Sequence, residues 1–170
     1  GCFDARWGDN LSGRRGVLLR TGARLEVVGR TKNVIKLNNG EFVSPEHIEK
    51  TLHGVAADIV DQMIVVVRGQ DILALVVPKD LSMAAKSTTV LKQTSLEMKL
   101  LNDFKNEGAT RGLSVYEIPK AVAVVGRRWT VDNKTMTVSN KVNRHRIQLE
   151  CDNDLRRIVG AAWASHGELR

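Results

Sequence analysis

The alternation of apolar and polar positions divides the chain into short elements. Val17-Leu18-Leu19 and Leu25-Glu26-Val27-Val28 read as brief strands among turn signals at Gly8-Asp9-Asn10, Ser12-Gly13 and Thr21-Gly22, so the chain predicts as β structure up to Val28. Val34-Ile35-Lys36-Leu37 and Glu41-Phe42-Val43 are β-prone runs about Asn39-Gly40, two residues that tolerate positive φ, which predicts a tight hairpin. Ser44, Pro45 and Glu46 then supply a capping hydroxyl, a proline suited to the first helical position and an early negative charge. Ile48, Leu52 and Val55 recur at i, i+4, i+7, so a helix follows, with Glu49 and Lys50 expected on its wet side.

Two near-continuous β-branched runs come next, Ile59 to Val67 and Ile72 to Val77, joined by Arg68-Gly69-Gln70-Asp71; such runs predict strands covered on both faces. Val90 to Glu107 spaces Leu91, Leu96, Leu100, Leu101 and Phe104 as an amphipathic helix, with Gly108 placed to end it. Ala121 to Val125 reads as a further strand and Trp129 to Asn140 as a polar loop. Val142 to Leu149 reads as a short basic helix, and Asp152 as the cap of a last helix through Leu155, Ile158, Val159, Ala162 and Trp163. The expected fold is α+β: a β-rich N-terminal edge segment, then a hairpin and a three-stranded sheet packed with helices. Gly29 to Asn33 is a polar, basic break between the two parts, readable as a hinge or as an ordinary loop.

A chain of 170 residues is long enough for a sizeable core, and its net charge of +7 is spread along it rather than gathered in a tail. That excess suits phosphates, acidic partners or a membrane surface. With only 4% aromatic residues there are few platforms for stacking bases, so nucleic acid is not an expected partner. Cys2 and Cys151 stand far apart and no Cys/His cluster has zinc spacing, so no metal site and a reducing compartment are expected. No apolar run reaches the length of a membrane span, and the expected location is cytoplasmic or peripheral on an intracellular membrane. The opening Gly1-Cys2-Phe3-Asp4, without an initiator Met, reads as a segment cut from a longer protein.

Three separated stretches carry a resemblance. Gly29-Arg30-Thr31-Lys32-Asn33-Val34-Ile35-Lys36-Leu37 with Gly40-Glu41-Phe42-Val43-Ser44-Pro45-Glu46-His47-Ile48-Glu49 resembles the hinge and hairpin of the adenylate-forming superfamily, in the form used by long-chain acyl-CoA synthetases. Val60-Asp61-Gln62 before paired strands agrees in order. So does Tyr116-Glu117-Ile118-Pro119-Lys120 followed by Thr130 to Arg144, which is similar to the family's C-terminal catalytic-lysine loop. The resemblance implies the edge of a large adenylation domain over 1–29, a hinge over 30–33, a C-terminal lid over 34–150 and a helical tail over 151–170.

What the family does is then implied for this chain. ATP with Mg2+ activates a fatty acid or other carboxylate as acyl-adenylate. The lid then turns about its hinge, and coenzyme A, or carrier-protein phosphopantetheine, takes the acyl group. Matched position by position, Lys141 is the catalytic lysine, Arg30 and Asp9 contact the nucleotide's ribose, Lys32 is the pivot, and Gly40 and Glu41 face the pantetheine arm. Taken alone, a loop lysine is a solvated charge, and the turn already explains Gly40. The sequence departs from the family pattern at Trp7, where a threonine is usual, and at Asn140, where many relatives have glycine; asparagine tolerates the left-handed backbone. The implied partner is the rest of the adenylation domain. Two other readings stay open: an adenylation unit that loads a carrier protein or a reductase module, and a basic interaction module derived from this lid without catalysis.

Overall fold

The computed structural model describes residues 16–21, 24–30, 33–84 and 95–164, with side chains from 33–84 and 95–160. The expected turns before residue 16 and at Thr21-Gly22, the residues Asp9 and Lys32, and the helical stretch before Ser95 lie outside the described residues. Strands β1 (Gly16–Thr21) and β2 (Arg24–Arg30) pair antiparallel, as the two short apolar runs predict. Strands β3 (Ile35–Lys36) and β4 (Phe42–Val43) form the hairpin, pairing Ile35 with Val43 and Lys36 with Phe42.

The hairpin turn differs from expectation. Gly40 N donates to Leu37 O at 2.9 Å and Leu37 N to Glu41 O at 2.7 Å, so three residues, Asn38 to Gly40, form the loop. Only Gly40 takes the positive φ, at +91°, while the Asn39 side chain accepts from Glu41 N. This is a turn closed by a glycine bulge, whose twist suits the strands as well as a two-residue turn does.

Helix α1 (Pro45–Val55) begins as predicted, with the Ser44 hydroxyl accepting from His47 N and Ile48 and Leu52 fully buried. A three-stranded sheet follows in the order β5-β6-β7, with β5 (Val60–Arg68) and β6 (Asp71–Pro78) antiparallel and β7 (Ala121–Val124) parallel to β6. A parallel pair needs a crossover, and α2 (Ser95–Thr110) lies within it. Gly108 does not end α2. It lies buried inside the helix, where an added Cβ would stand 3.3 Å from methyls of Leu113 and Leu52, and the chain turns away at Gly112, whose φ is +91°. Helices α3 (Arg144–Glu150) and α4 (Asp152–Ala164) complete the fold. Asp152 is the first residue of α4 instead of its cap, and its carboxylate holds Arg68 and Arg156.

The sheet is covered on both faces, as its apolar runs require. One face packs Ile48, Leu52, Leu100 and Phe104 of α1 and α2; the other packs Ile147, Leu155 and Ile158 of α3 and α4, together with Trp129. Each edge strand is closed by a glutamate. On β5, Glu49 of α1 accepts the Val65 N–H at 2.6 Å and is clasped by Arg144 of α3; on β7, Glu97 of α2 accepts the Val124 N–H at 2.9 Å and is clasped by Arg157 of α4. Glu49, expected to face water, therefore links the two helical layers across a sheet edge.

Candidate functional site

The lysine segment is a loop fixed at both ends. At its start, Gln62 on β5 pairs with the Trp129 backbone like a short strand, donating to Trp129 O at 2.8 Å and accepting from Trp129 N at 2.7 Å. Arg128 pairs with Asp61 and donates to Lys79 O. Asn133 then folds the chain on itself: its side chain accepts from Thr130 N and Thr135 N and donates to Arg128 O, which lets the fully buried Thr135 be satisfied locally. Past Thr135 the loop narrows to a Met136–Val142 bridge.

The tip is a tight turn. Thr137 N donates to Lys141 O and Asn140 N to Thr137 O, both at 2.8 Å, and Lys141 N reaches the Thr137 hydroxyl at 3.1 Å. Asn140 stands at φ +55°, so the position where many relatives of the resembling family carry glycine is left-handed here and asparagine fills it. Asn143 N donates to Thr135 O, and the Asn143 side chain caps α3 by accepting from Arg146 N.

The far end is held by Arg144. Its guanidinium gives two parallel hydrogen bonds to Glu49, at 2.5 and 2.6 Å, and a third to Val65 O at 3.3 Å. Burial opposes the charge on Arg144, but the hydrogen-bonded Glu49 carboxylate, aided by Glu46, outweighs it and raises the pKa above the usual arginine value. On the same helix, Glu46 accepts from the Asn33 side chain at 2.6 Å.

These parts enclose an open cleft of about 930 Å³ lined by, among others, Asn33, Ile35, Glu46, Glu49, Val65, Thr137, Lys141 and Arg144. Lys141 is exposed, and its ammonium meets no acceptor among the described residues. The structure thus brings together Lys141, the hairpin strand β3 and Asn33, the last residue of the polar break. Gly40 and Glu41 sit at the hairpin turn, outside the lining of that cleft, and Arg30 ends β2 with only its backbone described. Asp9 and Lys32 are not among the described residues, nor is any group of three or more acidic, His or Cys side chains placed to hold a metal among those that are. Buried Cys151 offers no nucleophile: burial, with Asp154 adding to it, pushes its thiol up to about 11.

Pattern reading missed Glu49, Gln62 and Asp61 as the supports of the loop. Each touches a partner far along the chain, and no local signal marks such a pair. The hints were Val60-Asp61-Gln62, matched in the resemblance without a role, and Arg144 itself, a cation at the start of a helix where the dipole favours an anion.

No family model matches the chain. Among curated proteins it is 27% identical over 145 residues to fatty acyl-CoA synthetase B of Dictyostelium discoideum, covering 79% of this chain and 21% of that protein. It is 26% identical over 167 residues to long chain acyl-CoA synthetase 1 of Arabidopsis thaliana, covering 87% of this chain and 24% of that one. It thus spans about a fifth to a quarter of the curated relatives it matches, in their C-terminal part. Among solved structures, the adenylation domain of a carboxylate reductase from Mycobacterium chelonae superposes with a TM-score of 0.67 at 25% identity, over 85% of this chain and 22% of that one. The A-PCP didomain of a carboxylic acid reductase from Segniliparus rugosus, in complex with AMP, superposes with a TM-score of 0.69 at 24% identity, over 91% of this chain and 21% of that one. The three-stranded sheet with helices on both faces and the hairpin before it match the fold of the C-terminal domain of adenylate-forming enzymes, and in sequence the chain is similar to the C-terminal part of long-chain acyl-CoA synthetases.

Proposed function

We propose that the chain is the lid of an ATP-dependent ligase that activates a carboxylate as acyl-adenylate and then forms a thioester. The observation that carries this reading is the Lys141 ammonium: it is exposed on a turn braced by backbone hydrogen bonds, beside the cleft that reaches Asn33, with no acceptor among the described residues. An ammonium so held suits an α-phosphate. As a carboxylate oxygen bonds to that phosphorus and pyrophosphate leaves, negative charge builds on the equatorial oxygens, and a preplaced cation stabilises it without reorganising. Among the described residues no group of three or more acidic, His or Cys side chains is placed to hold a metal, and the part of the step we assign to this chain is the ammonium and the loop that aims it.

In the second step a thiol attacks the acyl carbonyl and AMP departs. Arg30 and Asp9 would hold the ribose, Lys32 would be the pivot that exchanges the two steps, and the hairpin turn at Gly40 and Glu41 would face the thiol's pantetheine arm. Fatty acids with coenzyme A are the substrates we infer, after the named activity of the curated relatives. A second reading is favoured by one observation: the carboxylate-reductase domains superpose on most of this chain, one of them in an A-PCP didomain, which supports a carrier-bound phosphopantetheine as acceptor.

Lys141→Ala in the full-length protein tests the assignment. ATP–pyrophosphate exchange is expected to fall by roughly 10²-fold or more, while thioester formation from supplied acyl-adenylate stays intact. Equal loss in both steps rejects the role given to Lys141.

A further inference from the structure

Two acids on α1 hold side chains at either side of the cleft. Glu46 accepts from Asn33, three residues beyond the end of β2 at Arg30. Glu49, next but two on the same helix face, holds Arg144 through both carboxylate oxygens, and Arg144 lies three residues beyond Lys141. We propose that Glu49 is the positioning residue that, through Arg144, fixes where Lys141 points, while Glu46 on the same helix holds Asn33 at the other side of the cleft. The inference rests on the role of Lys141 proposed above.

The loop itself supplies the reason. Met136 still packs on the core and accepts from the Gln62 side chain, but past it the bonds are internal: the Met136–Val142 bridge, the Thr137–Lys141 turn and the Asn143-to-Thr135 bond shape the tip but do not orient it on the domain. Orientation comes from the ends. Gln62 and Asp61 hold the first end to β5, and without a second fixed point the loop would pivot about that end. Arg144 supplies the second point, and it reaches β5 through Glu49, which also bonds Val65 N, and through Val65 O. The side chain of Glu49 is only 17% exposed, so its two arginine bonds face little competition from water.

The fold contains its own control. Glu97 with Arg157 repeats the arrangement on the other sheet edge, with an edge-strand N–H and paired arginine bonds of the same kind, and these partners, Val124 and Arg157, lie outside the lysine loop. A merely architectural role predicts the same behaviour for both glutamates; a positioning role separates them.

Glu49→Gln and Glu97→Gln in the full-length protein are the test, read by amide hydrogen exchange and by the two half-reactions separately. Glu49→Gln is expected to speed exchange at the Lys141 and Asn143 amides. It should also slow adenylation by roughly tenfold to 10²-fold, the scale of a misplacement of about 1 Å, with thioester formation from supplied acyl-adenylate unchanged. Glu97→Gln is expected to lower thermal stability without either effect. Arg144→Lys, which keeps the cation and loses the second bond, should follow Glu49→Gln and serves should that variant fold poorly. Unchanged exchange in the lysine loop of both, or the same half-reaction split in Glu97→Gln, overturns the proposal. Lys141→Ala in the same assay separates the two ideas: undiminished adenylation there removes the reading of Lys141, while the exchange data still decide whether Glu49 holds the loop.

Discussion

Arg157 closes on Glu97 through two hydrogen bonds, at 2.6 and 3.1 Å, from 60 positions away in the chain, at the sheet edge opposite the one where Arg144 closes on Glu49. Glu97 is fully buried, and it also accepts the Val124 N–H that would otherwise leave β7 an open edge. The three-stranded sheet is narrow, and a glutamate and an arginine bind its two helical layers around each side.

The first prediction concerns that buried pair. Glu97→Ala leaves a guanidinium and an edge N–H without their acceptor, and is expected to cost about 3–5 kcal/mol, the range for removing one partner of a buried pair. Replacing both residues by leucines is expected to recover most of that loss, because neither charge is then stranded. Denaturant unfolding of Glu97→Leu, Arg157→Leu and the double leucine variant measures the coupling; additive losses contradict it.

Asn140 gives the second. A residue at φ +55° pays little as asparagine or glycine, whereas a β-branched side chain there costs about 1–2 kcal/mol. Asn140→Gly should therefore keep adenylation within about twofold, and Asn140→Val should depress it and loosen the Thr137–Lys141 turn. The half-reaction assay with amide exchange checks both, and a tolerated valine would show that the turn does not set the loop.

The third is a pH dependence at Cys151. Burial is the main cause that lifts its thiol from the ordinary value of 9.0 to about 11 in the folded chain. Below about 9 the thiol is protonated in both states. Above it, the unfolded chain ionises first, so the contribution to stability falls as pH rises from about 9 to about 11. Relative to Cys151→Ala, the protein should lose up to roughly 2–3 kcal/mol across that window, and the folded thiol should resist alkylation at pH 8. Paired unfolding curves at pH 7, 9 and 10.5 read the difference; a constant gap rules it out.

Gly108 gives the fourth. With Leu52 and Leu113 methyls 3.3 Å from any added Cβ, α1 and α2 touch where a side chain is missing. Gly108→Val should cost about 1–3 kcal/mol by overpacking, although glycine inside a helix is itself unfavourable. A stabilised variant, by thermal unfolding, would show that the contact relaxes freely.

Much of this was legible before any coordinates. The Ser44-Pro45-Glu46 start of α1, its buried Ile48 and Leu52, the double-faced burial of β5 and β6 and the strand β7 all follow from local chemistry and period, which act on neighbours in sequence. The place of Lys141 in an ordered motif, and the fitness of Asn140 for a left-handed position, were legible too. Errors gathered where a residue's environment is set by distant chain. Gly108 looked like a stop because glycine usually ends helices, but here it is the close contact of two helices. Asp152 looked like a cap, but it is the first residue of α4 and its carboxylate holds Arg68 and Arg156.

Glu49 marks the boundary most sharply. By period alone it belongs on the solvent side of α1, since its neighbours Ile48 and Leu52 take the core. Folding lays the start of α3 and the edge of β5 beside it, and the cost of burying a carboxylate is offset by an arginine and a backbone N–H drawn from 95 and 16 positions away. The sequence by itself determined most of the elements and, through the resemblance, singled out Lys141 as a candidate. Tertiary structure alone decided which side chains hold that lysine, because hydrophobic period is a property of adjacent residues, whereas an ion pair across a sheet edge exists only once both layers have closed on it.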